Sequence, residues 1–388
     1  MNHTDVIISG AGMVGAITAL GLAKAGFSVA LLDRNSAPVF SAESPRQLRV
    51  SAISRHNLKV LDDLGVMTGL MAERLGYYKH MQVWDNRSTG ELAFEQSGEG
   101  VLGAIIENDH LVAAAWQAVS TCPDIKVFQQ TSISEWSQSE RKVRVSLADR
   151  EQLSAGLLVV AEGAQSTVRE SLNIPLKTKD YEQKGLVCLI QLSDAPASTA
   201  LQSFNASGPV GILPMNESGL FSVVWSLPND QVGHWLNCDV ARFERALQIH
   251  INRNLGELSL ISERAAFPLR QMYARHYHQG RVVLVGDAAH TIHPLAGQGV
   301  NLGIEDGQCL IRRISTYGLR DPESLARALR KYQRERQAEV FKTSEMMNVL
   351  HHLFTSQQPV AGWLRGTGMN AINQMPLIKQ WLMRQAGS

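Results

Sequence analysis

The feature that most constrains this chain is Gly10-Ala11-Gly12-Met13-Val14-Gly15, set directly after a short apolar run, Asp5–Ser9. It opens a stretch rich in small residues, Met13–Ala25, that ends at Gly26. Gly10 permits a tight turn, Gly12 lets a pyrophosphate approach the backbone, and Gly15 lets helix and strand pack closely. Ser28–Leu32 reads as a second buried strand, so the unit is βαβ and its sheet is parallel. Asp33 ends that strand 18 residues after Gly15, with Arg34 beside it. A carboxylate at this place accepts hydrogen bonds from an adenosine ribose. The motif predicts a dinucleotide site and leaves NAD and FAD open.

Composition excludes several other classes. The 388 residues suggest two or three domains, and 44% hydrophobic with 19% charged residues is a globular balance. Lys and Arg number 37 and Asp and Glu 36, so no basic field exists to hold a nucleic acid. The cysteines (122, 188, 238 and 309) form no CxxC pair, and no HExxH is present. A disulfide scaffold or zinc site is therefore not expected, and a reducing compartment, the cytoplasm, is. Val6–Ala23 is uncharged over 18 residues, but it holds glycines at 10, 12, 15 and 21 and no Lys or Arg precedes it. It is expected to be strand, turn and helix rather than a signal peptide or a membrane span.

Further along, residues 37–50 read as irregular and 54–75 as helical, with Leu58, Leu61, Leu64 and Val66 on one side. Val143–Leu147 alternates like an exposed strand, and Leu157–Ala161 is a continuous apolar strand. From about 180 to 275 the pattern changes: Gly185–Leu192, Val210–Pro214 and Leu220–Leu227 read as antiparallel strands, followed by a helix over Asp239–Asn254. Arg281–Val285 returns to a buried strand, and helical patterns run from Gly299 onward. The expected fold is α/β: a Rossmann-like domain from 1–179 and 276–345, an α+β substrate domain over 180–275 with a mainly antiparallel sheet, and a helical C-terminal region, 346–388.

Two more motifs narrow the cofactor by resemblance. Val159-Val160-Ala161-Glu162-Gly163-Ala164-Gln165-Ser166-Thr167-Val168-Arg169 resembles the Asp-Gly motif of flavoprotein aromatic hydroxylases, with Glu162 where that family usually has Asp. The stretch Gly286–Gly303, which begins Gly-Asp-Ala-Ala-His, resembles their second FAD-binding motif. Gln47–Ile53, Val83-Trp84-Asp85 and Val224–Leu227 extend the likeness to the ubiquinone-biosynthesis hydroxylases, most of all to the member that hydroxylates ring C5 of a polyprenylphenol.

The resemblance implies FAD, held by Gly10, Gly12, Gly15, Asp33, Arg34, Arg49, Asn108, Glu162, Gly163, Asp287, Pro294, Gly297, Gly299, Val300 and Asn301. For Arg49 the alternative is a plain surface arginine, and for Asn108 a helix cap. Bottom-up chemistry agrees at two places. Asp287 follows a buried strand, where a carboxylate is costly unless a ligand hydroxyl satisfies it. The amides of Gly299, Val300 and Asn301 open a helix, whose positive end would stabilise negative charge on reduced flavin. His290 reads as a structural hydrogen-bonder, while His293 and Pro294 are the candidates for the catalytic centre.

The implied reaction is hydroxylation of an electron-rich, prenylated phenol by O2 through a flavin C4a-hydroperoxide, with NADPH or NADH as a transient reductant. Val187, Leu189, Val223 and Trp225 are expected either to line the prenyl pocket or to be plain core. The alternatives are a flavin reductase or dehydrogenase of the same fold and a non-catalytic FAD-holding subunit. From Met346 to Ser388 there is no Asp or Glu, while Arg365, Lys379 and Arg384 accompany Trp363, Leu377, Ile378, Trp381 and Leu382. Residues 359–388 are thus expected to dock on the inner face of the cell membrane, on a quinone-biosynthesis complex or in a homo-oligomer, the alternative being that they pack on the body of the enzyme itself.

Overall fold

The computed structural model describes residues 2–95, 100–148, 150–205, 207–292 and 299–355. Five parallel strands form the centre of the first sheet, in the order Ile125–Phe128, Val29–Leu32, Asn2–Ser9, Gln152–Val160, Val282–Leu284. Val6, Ile7, Ile8, Leu157, Leu158 and Val159 are fully buried, because both faces of this sheet are covered and no polar face is needed. Helix Met13–Lys24 packs against helices Asn108–Ser120 and Gly299–Tyr317. Small residues permit that approach: a Cβ on Gly307 would lie 2.4 Å from Thr18 Oγ1.

The second sheet runs His290–Thr291, Ala265–Ala274, Leu176–Leu192, Leu220–Pro228, Val210–Pro214, Thr199–Phe204, His80–Asp85, Glu91–Glu95. Every pairing is antiparallel except Thr199–Phe204 with His80–Asp85. Its strands do not follow the divisions expected from sequence: the hairpin 80–95, inside 1–179, and His290–Thr291, inside 276–345, both belong to it. Pairing over more than 100 residues leaves no local pattern by which a hairpin declares its sheet.

The two faces of this sheet have different jobs. Leu186, Cys188, Ile190, Val223, Trp225 and Leu227 pack under helices Asn229–Asn237 and Val240–Ile251. Trp225 is fully buried against Trp235, Phe243 and His250, so it and Val223 are core and line no pocket. The opposite face carries Leu189, Leu213, Met215 and Leu220, which meet Leu48, Val50, Ala52, Tyr78 and Ile105 of the first part of the chain. Val50–Ser54, Gly103–Glu107 and Gly76–Tyr78 make a small sheet there. A Cβ on Gly76 would sit 2.1 Å from the Pro214 carbonyl oxygen, which measures how closely the two layers touch.

Three sequence expectations need correction. The helix expected over 54–75 is Arg55–Asp63, capped by Ser54, whose hydroxyl accepts from the Asn57 amide. Gly65 adopts φ +75 and stops it, and two short 3-10 turns replace the remainder. The strand expected to begin at Gly185 begins at Leu176, with an irregularity between Asp180 and Lys184. Val143, Val145 and Leu147 are buried, since one face of this strand packs into the core while Arg144 stands exposed on the other. Val6–Ala23 is strand, turn and helix, and no helix among the described residues is long and apolar enough to cross a membrane.

Candidate cofactor site

The first glycine turn separates two roles. Gly10 takes φ +99, and a Cβ on it would lie 2.5 Å from the Ala161 oxygen; a Cβ on Gly15 would lie 1.8 Å from the Gly10 oxygen. These two glycines are required by the chain itself. Gly12 has ordinary dihedrals (φ −65, ψ −173), and a Cβ there would meet no protein atom within 4 Å. It sits at the start of helix Met13–Lys24, which has no side-chain cap and no acidic residue in its first turn. Unpaired N–H groups thus open on free space, the arrangement that receives a phosphate. Asp33 holds the turn, accepting from the Ala11 amide at 2.6 Å and the Asn35 amide at 2.8 Å. Arg34 is exposed beside it.

Glu162 has protein partners for both carboxylate oxygens. Oε1 accepts from the Ser9 hydroxyl, and Oε2 from the Ser166 hydroxyl at 2.6 Å and the Val168 amide at 3.1 Å. It ties the end of the first strand to helix Thr167–Ser171, a positioning task that explains why its side chain is not turned to solvent. Gly163, at φ +80, opens on free space. Arg169 is buried and donates to the carbonyls of Ala164 at 2.8 Å and Ala288 at 3.3 Å, which joins the second motif to the third.

In the third motif Gly286 adopts φ +58. Asp287 is exposed, but to a cleft rather than to open solvent: surrounding protein desolvates it and lifts its carboxyl above the usual range, while His290 and Arg49 pull it partway back. Its carboxylate has no hydrogen-bond partner among the described residues. Arg49 is exposed and close enough to Asp287 to act on its charge, so the structure brings these two together. Gly299 opens on free space, while a Cβ on Gly303 would lie 2.4 Å from Val14 Cγ2. Both helix starts and the Gly286 turn therefore converge on Val14.

The side chains of Asn301 and Asn108 point to protein. Asn301 donates to the Ala52 carbonyl at 2.8 Å and accepts from the Ser54 amide at 3.0 Å and Asn57 Nδ2 at 2.9 Å. What Asn301 leaves for a ligand is its backbone, beside that of the half-buried Val300. Asn108 accepts from the Ser51 hydroxyl at 2.7 Å, and its amide donates to the Arg49 carbonyl at 3.0 Å. The cap of that helix is Glu107, so Asn108 steadies the Arg49 segment instead. His293, Pro294 and Gly297 lie outside the described residues.

Two buried charge clusters escaped the sequence reading. Asp306 accepts from the Gly286 amide at 2.9 Å and from Arg336 Nε at 2.6 Å, and His290 Nε2 lies 2.6 Å away. Burial alone would raise the Asp306 carboxyl, but His290 and Arg336 outweigh it and hold it below the usual range. His290 is thus the structural hydrogen-bonder that the sequence suggested. Glu107, fully buried, accepts from Arg74 twice at 2.8 Å and from Arg46 at 3.3 Å, and Arg46 also reaches Glu217, in the turn between strands Val210–Pro214 and Leu220–Pro228. No local spacing links Asp306 to Arg336 or Glu107 to Arg46; only the fold does.

These groups suit a flavin dinucleotide. A phosphate finds the open Gly12 turn, and a hydroxyl chain finds the unpaired Asp287 carboxylate. Residues 3–346 match the family described as FAD binding domain. The chain is 31% identical over 388 residues to the 3-demethoxyubiquinol 3-hydroxylase of Escherichia coli (strain K12), across 99% of this chain and 98% of the relative. It is 29% identical over 434 residues to the mitochondrial ubiquinone biosynthesis monooxygenase COQ6 of Drosophila melanogaster, across 99% and 90%. Among solved structures, p-nitrophenol 4-monooxygenase PnpA from Pseudomonas putida DLL-E4 superposes with TM-score 0.78 at 18% identity over 100% of this chain and 99% of that one. PqsL of Pseudomonas aeruginosa, described as a probable FAD-dependent monooxygenase, gives 0.75 at 22% identity over 95% and 100%. At those identities the two structures establish the fold, and the sequence matches establish the lineage: the chain belongs to the FAD binding domain family and, within it, to the ubiquinone-biosynthesis hydroxylases.

Proposed function

We propose that this protein is an FAD-dependent monooxygenase that hydroxylates the electron-rich ring of a prenylated phenol in ubiquinone biosynthesis, using O2 and NADPH or NADH. The observation that carries it is the end-to-end match to the Escherichia coli hydroxylase on a chain whose cleft presents unpaired phosphate and hydroxyl partners. Bound FAD supplies the redox chemistry and the activated oxygen. The chain's residues then bind, orient and shield. The amides at Gly12 hold the pyrophosphate, with Asp33 and Arg34 at the adenosine end. Asp287 accepts from the ribityl hydroxyls, and Arg49 balances the cofactor's negative charge. The backbone of Gly299, Val300 and Asn301 stabilises negative charge on the reduced ring. Glu162, Asn108 and the Asn301 side chain are positioning residues. Leu189, Leu213, Met215 and Leu220 seal the second sheet onto the Leu48–Ala52 segment that carries Arg49. His293 and Pro294 remain the proposed contacts at the reacting centre, with Gly163 and Gly297 as close-approach glycines.

In this assignment residues 1–179 and 276–345 supply the flavin unit, while 180–275 with the hairpin 80–95 form the substrate sheet. We also assign peripheral attachment to the inner face of the cell membrane, because a prenyl tail must be drawn from a bilayer and residues 359–388 are basic and apolar. The test is turnover of a short-chain prenylated phenol with isotopically labelled dioxygen. One labelled oxygen in the product supports hydroxylation; reduction of the substrate without oxygen incorporation overturns it in favour of a reductase. Mapping the new hydroxyl separates ring C5, the position that the motif resemblance implies, from the position 3 for which the Escherichia coli relative is named.

A further inference from the structure

A second cleft lies away from the glycine turns. It has a volume of about 870 Å³ and runs between the last helix, Pro322–Thr355, and the outer ends of strands Leu176–Leu192 and Ala265–Ala274. This is within the ~300–1,000 Å³ range of clefts that take small molecules. Its walls are apolar, with Leu176, Tyr273, Ala274, Val340 and Phe341 among them. Phe341 is 65% exposed and Leu176 38%, so two large apolar side chains of one groove stand in water. Exposed apolar side chains gathered in one groove give an apolar ligand a surface to bury.

The rim is predominantly basic. Lys177, Lys179 and Arg275 border the groove, against Glu345 as the one acid among its lining residues. Lys177 and Arg275 have no carboxylate partner among the described residues. Lys179 lies over the Tyr181 ring at 4.8 Å and donates to Asn348 at 3.5 Å, which holds its ammonium at the rim. The occupant is therefore apolar in its body and anionic at its head. Residues 356–388 carry Arg365, Lys379 and Arg384 and no acid, the same sign as the rim, so their charge does not complement it. Its floor backs onto the third motif, because Tyr273 and Val340 pack with Ile292 and Leu302 of that motif.

We infer that this groove docks an anionic membrane phospholipid, its acyl chain along Leu176, Tyr273 and Phe341 and its phosphate at Lys177, Lys179 and Arg275. The inference extends the reading of a membrane-resident substrate, and it places a bilayer against the last helix in addition to the C-terminal stretch.

The test is flotation of the full-length, FAD-loaded protein with phosphatidylcholine vesicles, with and without phosphatidylglycerol. The wild type should float with the anionic vesicles. Reversing all three charges (Lys177→Glu, Lys179→Glu, Arg275→Glu) should lower partition by more than a hundredfold, since loss of each basic residue near an anionic surface alone costs about fivefold. Phe341→Ser should lower it at least tenfold with the charge unchanged. Both variants should keep their FAD absorbance, melting temperature and turnover of a soluble short-chain phenol. Wild-type flotation by the charge-reversed protein overturns the inference. So does loss of binding only on truncation after Gln358, or a fall in assembly size of the groove variants on gel filtration, which would seat a second copy there. Vesicle binding is scored without turnover and turnover without vesicles, so this inference and the proposed reaction fail separately.

Discussion

At the scale of single residues, three glycines in one motif have opposite tolerances. A Cβ on Gly12 meets no protein atom within 4 Å, so Gly12→Val should fold with the melting temperature of FAD-free wild type and yet fail to hold FAD, read as absorbance in the purified protein. Gly15→Ala drives a methyl to 1.8 Å from the Gly10 oxygen and should lower stability by several kcal/mol, roughly the range of severe overpacking. Asp287 couples stability to pH. Its folded carboxyl is raised, so its own contribution to the cofactor-free protein is fully present below the ordinary Asp value of about 3.9 and is lost as pH rises through the raised value. Asp287→Asn should therefore raise the melting temperature of the FAD-free protein at pH 7 while weakening FAD at least tenfold. Calorimetry and flavin titration measure the two effects, and a lowered melting temperature would contradict the cleft assignment. Glu162 holds Ser9 on one oxygen and Ser166 with Val168 on the other. Glu162→Asp is too short to span both, and the expected result is retained FAD with a loss of about 1 kcal/mol in denaturant unfolding.

At the scale of elements, the last helix is fastened to the third motif by charge. Arg336 reaches Asp306 on helix Gly299–Tyr317, and Asp306 in turn holds the Gly286 amide and His290. Asp306→Asn removes the nearer of the two carboxylates on buried Arg336, leaving Glu305 at 3.3 Å, and should cost about 3 kcal/mol. Because the Asp306 carboxyl is depressed, its contribution is present above the ordinary Asp range and is lost as pH falls through the folded value. Thermal melts from about pH 6 down to 2 should show a steep acid limb in the wild type and a flatter one in Asp306→Asn. An unchanged acid limb would mean that other carboxylates govern acid unfolding. The helix pattern here was visible in sequence, but the residue 30 positions away that completes the pair was not.

At the scale of the whole molecule, the second sheet is assembled from three separated segments, with His80–Glu95 closing an edge beside Thr199–Phe204. A fragment of residues 176–274 alone would expose that edge and the apolar face of Leu189, Leu213 and Leu220, and it should aggregate on gel filtration. Joining residues 78–96 to it through a flexible linker should improve solubility by covering the edge. A monomeric, cooperatively folding 176–274 fragment would show that the hairpin is an accessory to this sheet.

The sequence by itself determined the local chemistry of the chain. It placed the glycine turn, the two strands around it, Asp33, the third motif and the small residues that let helices meet, because turn conformation and apolar periodicity are properties of neighbours. Tertiary structure decided which way the polar groups face. It turned Glu162, Asn108 and the Asn301 side chain into protein, left Asp287 and Arg49 in the cleft, and put Trp225 under helices rather than over a ligand. It also gathered Glu107, Arg74 and Arg46, and Asp306, His290 and Arg336. A buried charge needs a partner wherever the fold can bring one, and sequence separation carries no record of that choice.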